Sequence, residues 1–362
     1  MKIGILTLHY GANYGGTLQC LALYNILKRA GNEVEVIDFQ PRVVAPFYLR
    51  ILYRLMLIRS VKDLISLLLP HKATKHKSVS RQLVQVFDEF RSKHLVLSES
   101  CNEYTISHVS QKYDAIYVGS DQVWSSTVRS HLTYFGDWSP QFMGKLYSYA
   151  ACAVTLRYPF TRKKRIKQLL ERFEEISVRD NLSSDFVHQF LPDKKVRIDL
   201  DPTLLYSFDD YISASRPIAE EYILVYVLGD DINGGNQQAI DRIKDLVGNI
   251  QVIAISVYGQ DISCADLTIK TASPDEWINY IKYAKVVFTD SFHCAVFSIK
   301  FGTQFYVYYS EENRASRIIE LSKLFNLKKQ VVTSVDGISN HANNMLLLSN
   351  IIIDSSKSYL LK

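Results

Sequence analysis

Three stretches of this chain carry titratable or cationic groups where apolar runs break. In "TDSFHCAVFSIKFG" (Thr289 to Gly302), His293 stands where an apolar strand passes into an apolar helix. An imidazole titrates near neutral pH and suits proton transfer, although a lone histidine on an apolar segment also serves as a hydrogen-bonded core residue. In "ISVRDNLSSDF" (Ile176 to Phe186), Arg179 leaves a strand just as a helix begins. A guanidinium beside free helix N–H groups fits a phosphate or carboxylate, and a salt bridge to Asp180 or Asp201 is the competing use. In "SEENRASRIIELSKLF" (Ser310 to Phe325), Arg314 and Arg317 are three apart and share one helix face, with Asn313 as a cap. Two cations on one face call for an anion, or for the nearby Glu311, Glu312 and Glu320.

Two further stretches offer groups suited to a sugar. "HYGANYGGTLQ" (His9 to Gln19) puts glycines between a strand and a helix, where backbone N–H groups can approach a ligand or a tight turn can form. Asn13 and Gln19 are its polar side chains best placed to face a cleft. "YVGSDQVWSS" (Tyr117 to Ser126) presents Asp121 and Trp124 just past a predicted strand, the position where ligands bind in open α/β sheets. A carboxylate can take hydroxyl hydrogen bonds while an indole covers the apolar face of a ring, and Asp121 can alternatively cap the next helix.

These residues need strands and helices to position them, and the apolar pattern supplies both. "KIGILTL", the glycine loop, the helical "TLQCLALYNILKRAG" and the alternating "EVEVIDF" read as a βαβ start. Apolar runs at Ala115 to Val118, Leu146 to Ala150, Ile176 to Val178 and Val196 to Leu200 extend that sheet. A second series begins with "YILVYVL" (Tyr222 to Leu228) and continues through "QVIAISV", "VVFTD" and "QFYVYY". The pattern predicts an α/β chain of two Rossmann-like domains, 1–207 and 218–340, joined near Ser207 to Pro217 and facing each other across a cleft. Residues 341–362 read as a C-terminal helix able to pack back on the first domain.

At 362 residues, 47% hydrophobic and 22% charged, the chain has material for two cores and no low-complexity tail. Its five cysteines are scattered and never form a CxxC pair, so neither a disulfide framework nor a zinc site is predicted. The opening apolar run is too short for a signal peptide or membrane span, which predicts a cytoplasmic protein. The net charge of +5 fits an anionic partner, but no nucleic-acid-binding motif accompanies it. Between 46 and 70, Arg50, Arg54, Arg59 and Lys62 interrupt large apolar residues. That pattern fits a basic amphipathic helix on an anionic membrane face, or a helix docked on the protein's own sheet.

Taken in order, "NYGGTLQ", "GSDQVW", "SVRD", "DPTLL", "TDSFHCAVFSIKFGTQF" and "NRASRI" resemble the polysaccharide pyruvyl transferase family. The likeness runs from about Ile3 to Leu327, with 46–94 outside it. The resemblance implies a GT-B type enzyme that moves the enolpyruvyl unit of phosphoenolpyruvate onto a glycan, cell-surface or lipid-linked, as a ketal, with no metal and no bound cofactor. By position it implies His293 as the catalytic acid and Arg179, Ser291, Arg314 and Arg317 on the donor. Asn13, Gln19, Asp121 and Trp124 would then line the acceptor side. Some family members have Arg two positions before the histidine and a glycine after it, where this chain has Ser291 and Cys294.

Overall fold

The computed structural model describes residues 1–42, 79–125, 132–229, 235–308, 312–327, 329–332, 334–339 and 350–360. The basic segment 46–70 lies outside the described residues. Elements are numbered among the described residues alone.

The first half forms a parallel sheet in the order β2-β1-β3-β4-β5-β6, from β1 (Lys2–Leu6), β2 (Glu33–Val36), β3 (Ala115–Asp121), β4 (Lys145–Ala151), β5 (Ile176–Val178) and β6 (Val196–Ile198). Its central strand β3 is buried along its whole length, because helices cover both faces of such a sheet and leave no solvent side for alternating polar residues. Those helices are α1 (Tyr14–Arg29), α2 (Arg81–His94), α3 (Ile106–Ser110), α4 (Lys163–Leu170) and α5 (Asn181–His188). A short α6 (Pro202–Leu205) follows β6, with Asp201 as its cap and Pro202 at its first position, where the missing N–H costs nothing.

The second half repeats the arrangement with β7 (Tyr222–Tyr226), β8 (Gln251–Ile255), β9 (Leu267–Ile269), β10 (Val286–Thr289), β11 (Gln304–Tyr308) and β12 (Val331–Val332). Their order, β12-β11-β10-β7-β8-β9, is the doubly wound Rossmann order, with its switch point between β7 and β10. The helices here are α7 (Gly235–Val247), α8 (Pro274–Tyr283), α9 (Phe292–Phe301) and α10 (Glu312–Phe325). A last helix, α11 (Asn350–Leu360), returns to the first sheet. Its Tyr359 hydroxyl donates to the Ser148 carbonyl at 3.0 Å and its ring stacks on Tyr149.

The two halves share one apolar cluster, running from Leu18 and Leu21 on α1 to Trp277 on α8 and Phe297 on α9. Tyr14 is the pivot of this contact: its ring stacks on Trp277 at 5.1 Å and its hydroxyl donates to the Ala272 carbonyl at 2.7 Å. The N-terminus of α1 is thereby held against the second domain, and the site described next is built around that junction. No described helix is long and apolar enough to cross a membrane.

Candidate active site

The glycine loop after β1 is shaped by three constraints that the spacing of its glycines alone does not reveal. Asn13 caps α1, accepting from the Gly16 N–H at 3.1 Å, and is itself exposed. Arg91 on α2 is buried and donates to the carbonyls of His9 and Gly11 at 3.2 and 2.8 Å, tying the loop down from behind. Gly15 has the tightest surroundings. A Cβ built there would stand 2.1 Å from His293 Nδ1 and 2.5 Å from its Cγ. The imidazole therefore rests on bare backbone at the first turn of α1, across the domain boundary.

His293 reaches that position because Ser291 ends β10's extension and caps α9, its hydroxyl accepting from the Cys294 N–H. The ring sits on the first turn of α9 and points out of the second domain, while Cys294 turns inward and is fully buried. Burial pushes the Cys294 thiol above its ordinary range, so it is a core thiol and not a neighbour of the imidazole's open face. Asp290 accepts from the N–H groups of Leu228 and Gly229, both at 2.7 Å, and so fills the switch point of the second sheet with a carboxylate.

His293 Nε2 lies 3.5 Å from Asp201 Oδ2, within ion-pair reach but not aligned as a hydrogen bond. Asp201 is 1% exposed and collects several partners. Arg179 Nη1 donates to Oδ2 at 2.9 Å, the Ser120 hydroxyl donates to the same oxygen at 3.3 Å, and Thr203 donates to Oδ1 through its N–H at 3.1 Å and its hydroxyl at 2.6 Å. Burial alone would raise the Asp201 pKa, but the facing His293, Arg179 and the Thr203 hydrogen bond outweigh it and hold the carboxyl well below the usual carboxylate range.

Arg179 is the second charged hub. Its guanidinium stacks over Phe292 at 4.5 Å and reaches Asp121 Oδ1 at 3.8 Å through Nη2. Burial opposes its charge, and Cys152, Asp201, Asp121 and Asp180 around it more than compensate, raising its pKa further. Nε and Nη2 have no hydrogen-bond partner although both are buried, leaving two N–H directions open. Beside this cluster is a pocket of about 350 Å³ between the domains, lined by Arg179, Asp201, Leu204, Phe292, Leu321 and Leu324 among others.

The predicted residues thus divide. His293, Arg179 and Asp121 come together, with Asp121 at the C-terminal end of β3 in a left-handed backbone conformation of φ 67° that strands rarely contain. Ser291 and Asn13 cap helices. Gln19 is fully buried and its amide joins Thr7, the Gly16 carbonyl and the Ser120 N–H, closing the switch point of the first sheet. Trp124 is 1% exposed, donates to the Tyr134 carbonyl at 2.9 Å and stacks on Phe135 inside the first core. Neither reaches the pocket between the domains. The side chains of Arg314 and Arg317, on α10, lie outside the described residues.

Asp201 and Gly15 are the members that reading residue types along the chain passed over. Along the chain Asp201 reads only as a partner for Arg179. Its signal was the Asp-Pro pair, an N-cap followed by Pro, just after β6.

A family model described as polysaccharide pyruvyl transferase matches residues 13–312. No curated protein matches the sequence. Among solved structures, a candidate UDP-N-acetylglucosamine 2-epimerase from Listeria monocytogenes aligns over 100% of this chain and 90% of that one, with TM-score 0.51 and 11% identity. The UDP-GlcNAc 2-epimerase from Methanocaldococcus jannaschii aligns over 100% and 93% with TM-score 0.48 and 9% identity, and UGT89C1 from Arabidopsis thaliana over 99% and 92% with TM-score 0.48 and 9% identity. At such identities likeness speaks for fold alone, and the first of these supports the GT-B arrangement of two Rossmann-like domains.

Proposed function

Because the chain belongs to the polysaccharide pyruvyl transferase family, we propose that it transfers the enolpyruvyl unit of phosphoenolpyruvate to a sugar of a cell-surface polysaccharide or its lipid-linked precursor, forming a pyruvate ketal. The observation that carries this reading is the meeting of His293, Arg179 and Asp201 at the junction of the two domains, beside an open pocket.

In this reading the donor's anionic groups take the free N–H directions of Arg179, at Nε and Nη2. His293 delivers a proton to the methylene carbon of the enol, and C2 gains oxocarbenium character. One sugar hydroxyl adds to C2; the second then adds as the C2–O bond to phosphate breaks. Of the two hydroxyl protons, one restores the proton spent on the methylene and the other leaves with phosphate. In this reading Asp121, 3.8 Å from Arg179, is assigned a hydroxyl of the acceptor. The donor needs no resident metal or bound cofactor. Segment 46–70 would bring the protein to the inner face of a membrane, where a lipid-linked acceptor resides.

The test is incubation with phosphoenolpyruvate and a panel of free and lipid-linked galactosides, glucosides and mannosides. Acceptor-dependent phosphate release, lost in His293→Ala, supports the reading. Consumption of a nucleotide sugar instead would make the protein a glycosyltransferase on the same fold, and acceptor binding without turnover would make it a non-catalytic carbohydrate-binding protein.

A further inference from the structure

Asp201 joins residues that are far apart in the chain. It touches Ser120 from the end of β3, Arg179 from the end of β5, Thr203 from α6 and His293 from the second domain. The cluster is not needed to cap α6, since the Thr203 N–H alone would serve that purpose. A neighbouring carboxylate offers a contrast. Asp199, 3% exposed, is paired with Arg197 and with the Ser177 hydroxyl and, among the described residues, has no hydrogen bond or ion pair to the second domain.

We infer that Asp201 is a positioning residue for His293: its carboxylate faces Nε2 while the bare backbone of Gly15 packs against the ring beside Nδ1 and Cγ, so that the ring has one working orientation and the in-plane edge at Nδ1 is left for proton transfer. This rests on the reading of His293 as the proton donor. Two groups fix the ring, the carboxylate 3.5 Å from Nε2 and the Gly15 backbone packed beside Nδ1 and Cγ. A ring free to turn by one rotamer would lose the alignment that proton transfer requires, and a misplacement of about 1 Å is enough to slow such steps by about 100-fold. The same carboxylate holds Arg179 Nη1, which leaves Nε and Nη2 as the guanidinium's open directions. One buried carboxylate therefore orients both the proton donor and the anion holder. Asp201, the cap of α6, is the charged group within 4 Å of the ring among the described residues, and Arg179 shares its Oδ2.

The experiment compares Asp201→Asn with Asp199→Asn, two isosteric changes of buried carboxylates two residues apart. Thr203→Val, which removes only the hydroxyl bond to Oδ1, is included in case Asp201→Asn does not fold. Expected for Asp201→Asn is a fall in kcat of about 100-fold, and for Thr203→Val a smaller fall in the same direction. Asp199→Asn should lose thermal stability but keep kcat within about twofold, since its carboxylate touches neither reacting group. The activity-independent arm is long-range proton–nitrogen NMR of histidine-labelled protein, the His293 signal being assigned with His293→Gln. Its ring nitrogens should shift in Asp201→Asn and Thr203→Val and stay in place in Asp199→Asn. Equal losses of kcat in the Asp199 and Asp201 variants, or unmoved His293 signals in Asp201→Asn, would overturn the inference. Failure of the wild type to release phosphate from phosphoenolpyruvate with any acceptor would instead defeat the proposed reaction, and the NMR arm would still decide the role of Asp201.

Discussion

Gly15→Ala is the perturbation whose outcome the geometry constrains most closely. The added methyl would stand 2.1 Å from Nδ1, 2.5 Å from Cγ and 2.8 Å from Cε1 of His293. An ordinary contact needs about 3.5 Å, so the ring must retreat by more than about 1 Å. Any such shift also moves Nε2 relative to Asp201 Oδ2, which lies 3.5 Å away. Two opposed terms then set the stability change. Alanine in a helix is favoured over glycine by about 1 kcal/mol, while forcing a methyl into packed space costs about 1–3 kcal/mol. The sum is a net destabilisation of about 0–2 kcal/mol, small enough for the variant to fold. Turnover should fall more than stability does, by about 100-fold if the imidazole is displaced by 1 Å. A double-mutant cycle with His293→Ala isolates the cause, since removing the ring empties the space and leaves only the helix term. Gly15→Ala should then be neutral or stabilising by up to about 1 kcal/mol in denaturant unfolding. The reasoning fails if Gly15→Ala destabilises the His293→Ala background as much as the wild type, or if it leaves acceptor-dependent phosphate release unchanged.

Trp124→Phe removes the indole N–H that satisfies the Tyr134 carbonyl and leaves a cavity in the first core, so unfolding free energy should fall by about 1–3 kcal/mol while the KM for acceptor stays the same; a raised acceptor KM with stability intact would return Trp124 to the binding site. Lys300 on α9 is largely buried, donates to the Leu204 carbonyl at 3.3 Å across the domain junction, and is pushed down from 10.5 to about 8 by burial. Between those two values the unfolded chain holds the proton and the folded chain has released it, so stability should rise with pH from about 8 to about 10.5, by about 3 kcal/mol in total at 1.36 kcal/mol per pH unit. Lys300→Met should remove that rise and add stability at pH 7, and an unchanged slope in pH-dependent denaturant unfolding would show that the amine is not desolvated.

The two sheets were readable because parallel strands covered on both faces must be continuous apolar runs, and runs such as Tyr222–Tyr226 and Val286–Thr289 have no other comfortable place. The candidate site was legible in part, since His293 and Arg179 stand at element boundaries along the chain and meet around Asp201. Harder to read was which polar groups at strand ends face a ligand and which close the sheet. Gln19 and Asp290 occupy the positions from which open α/β sheets bind ligands, yet each uses its hydrogen-bonding capacity on neighbouring backbone. Buried backbone N–H groups at a switch point must be satisfied by something, and a side chain of the protein does it as well as a ligand does. Asn13 had a legible alternative, because Asn just before a helical run is a preferred cap. Gly15 had none. Its need arises from a side chain 278 positions later, in the other domain, and only the docking of Tyr14 against Trp277 brings the two together. A glycine that follows a strand thus has two physical meanings, room for a ligand or room for the protein's own side chain. Here the backbone it exposes receives the imidazole of His293, so the glycine loop and the proposed proton donor meet across the domain boundary.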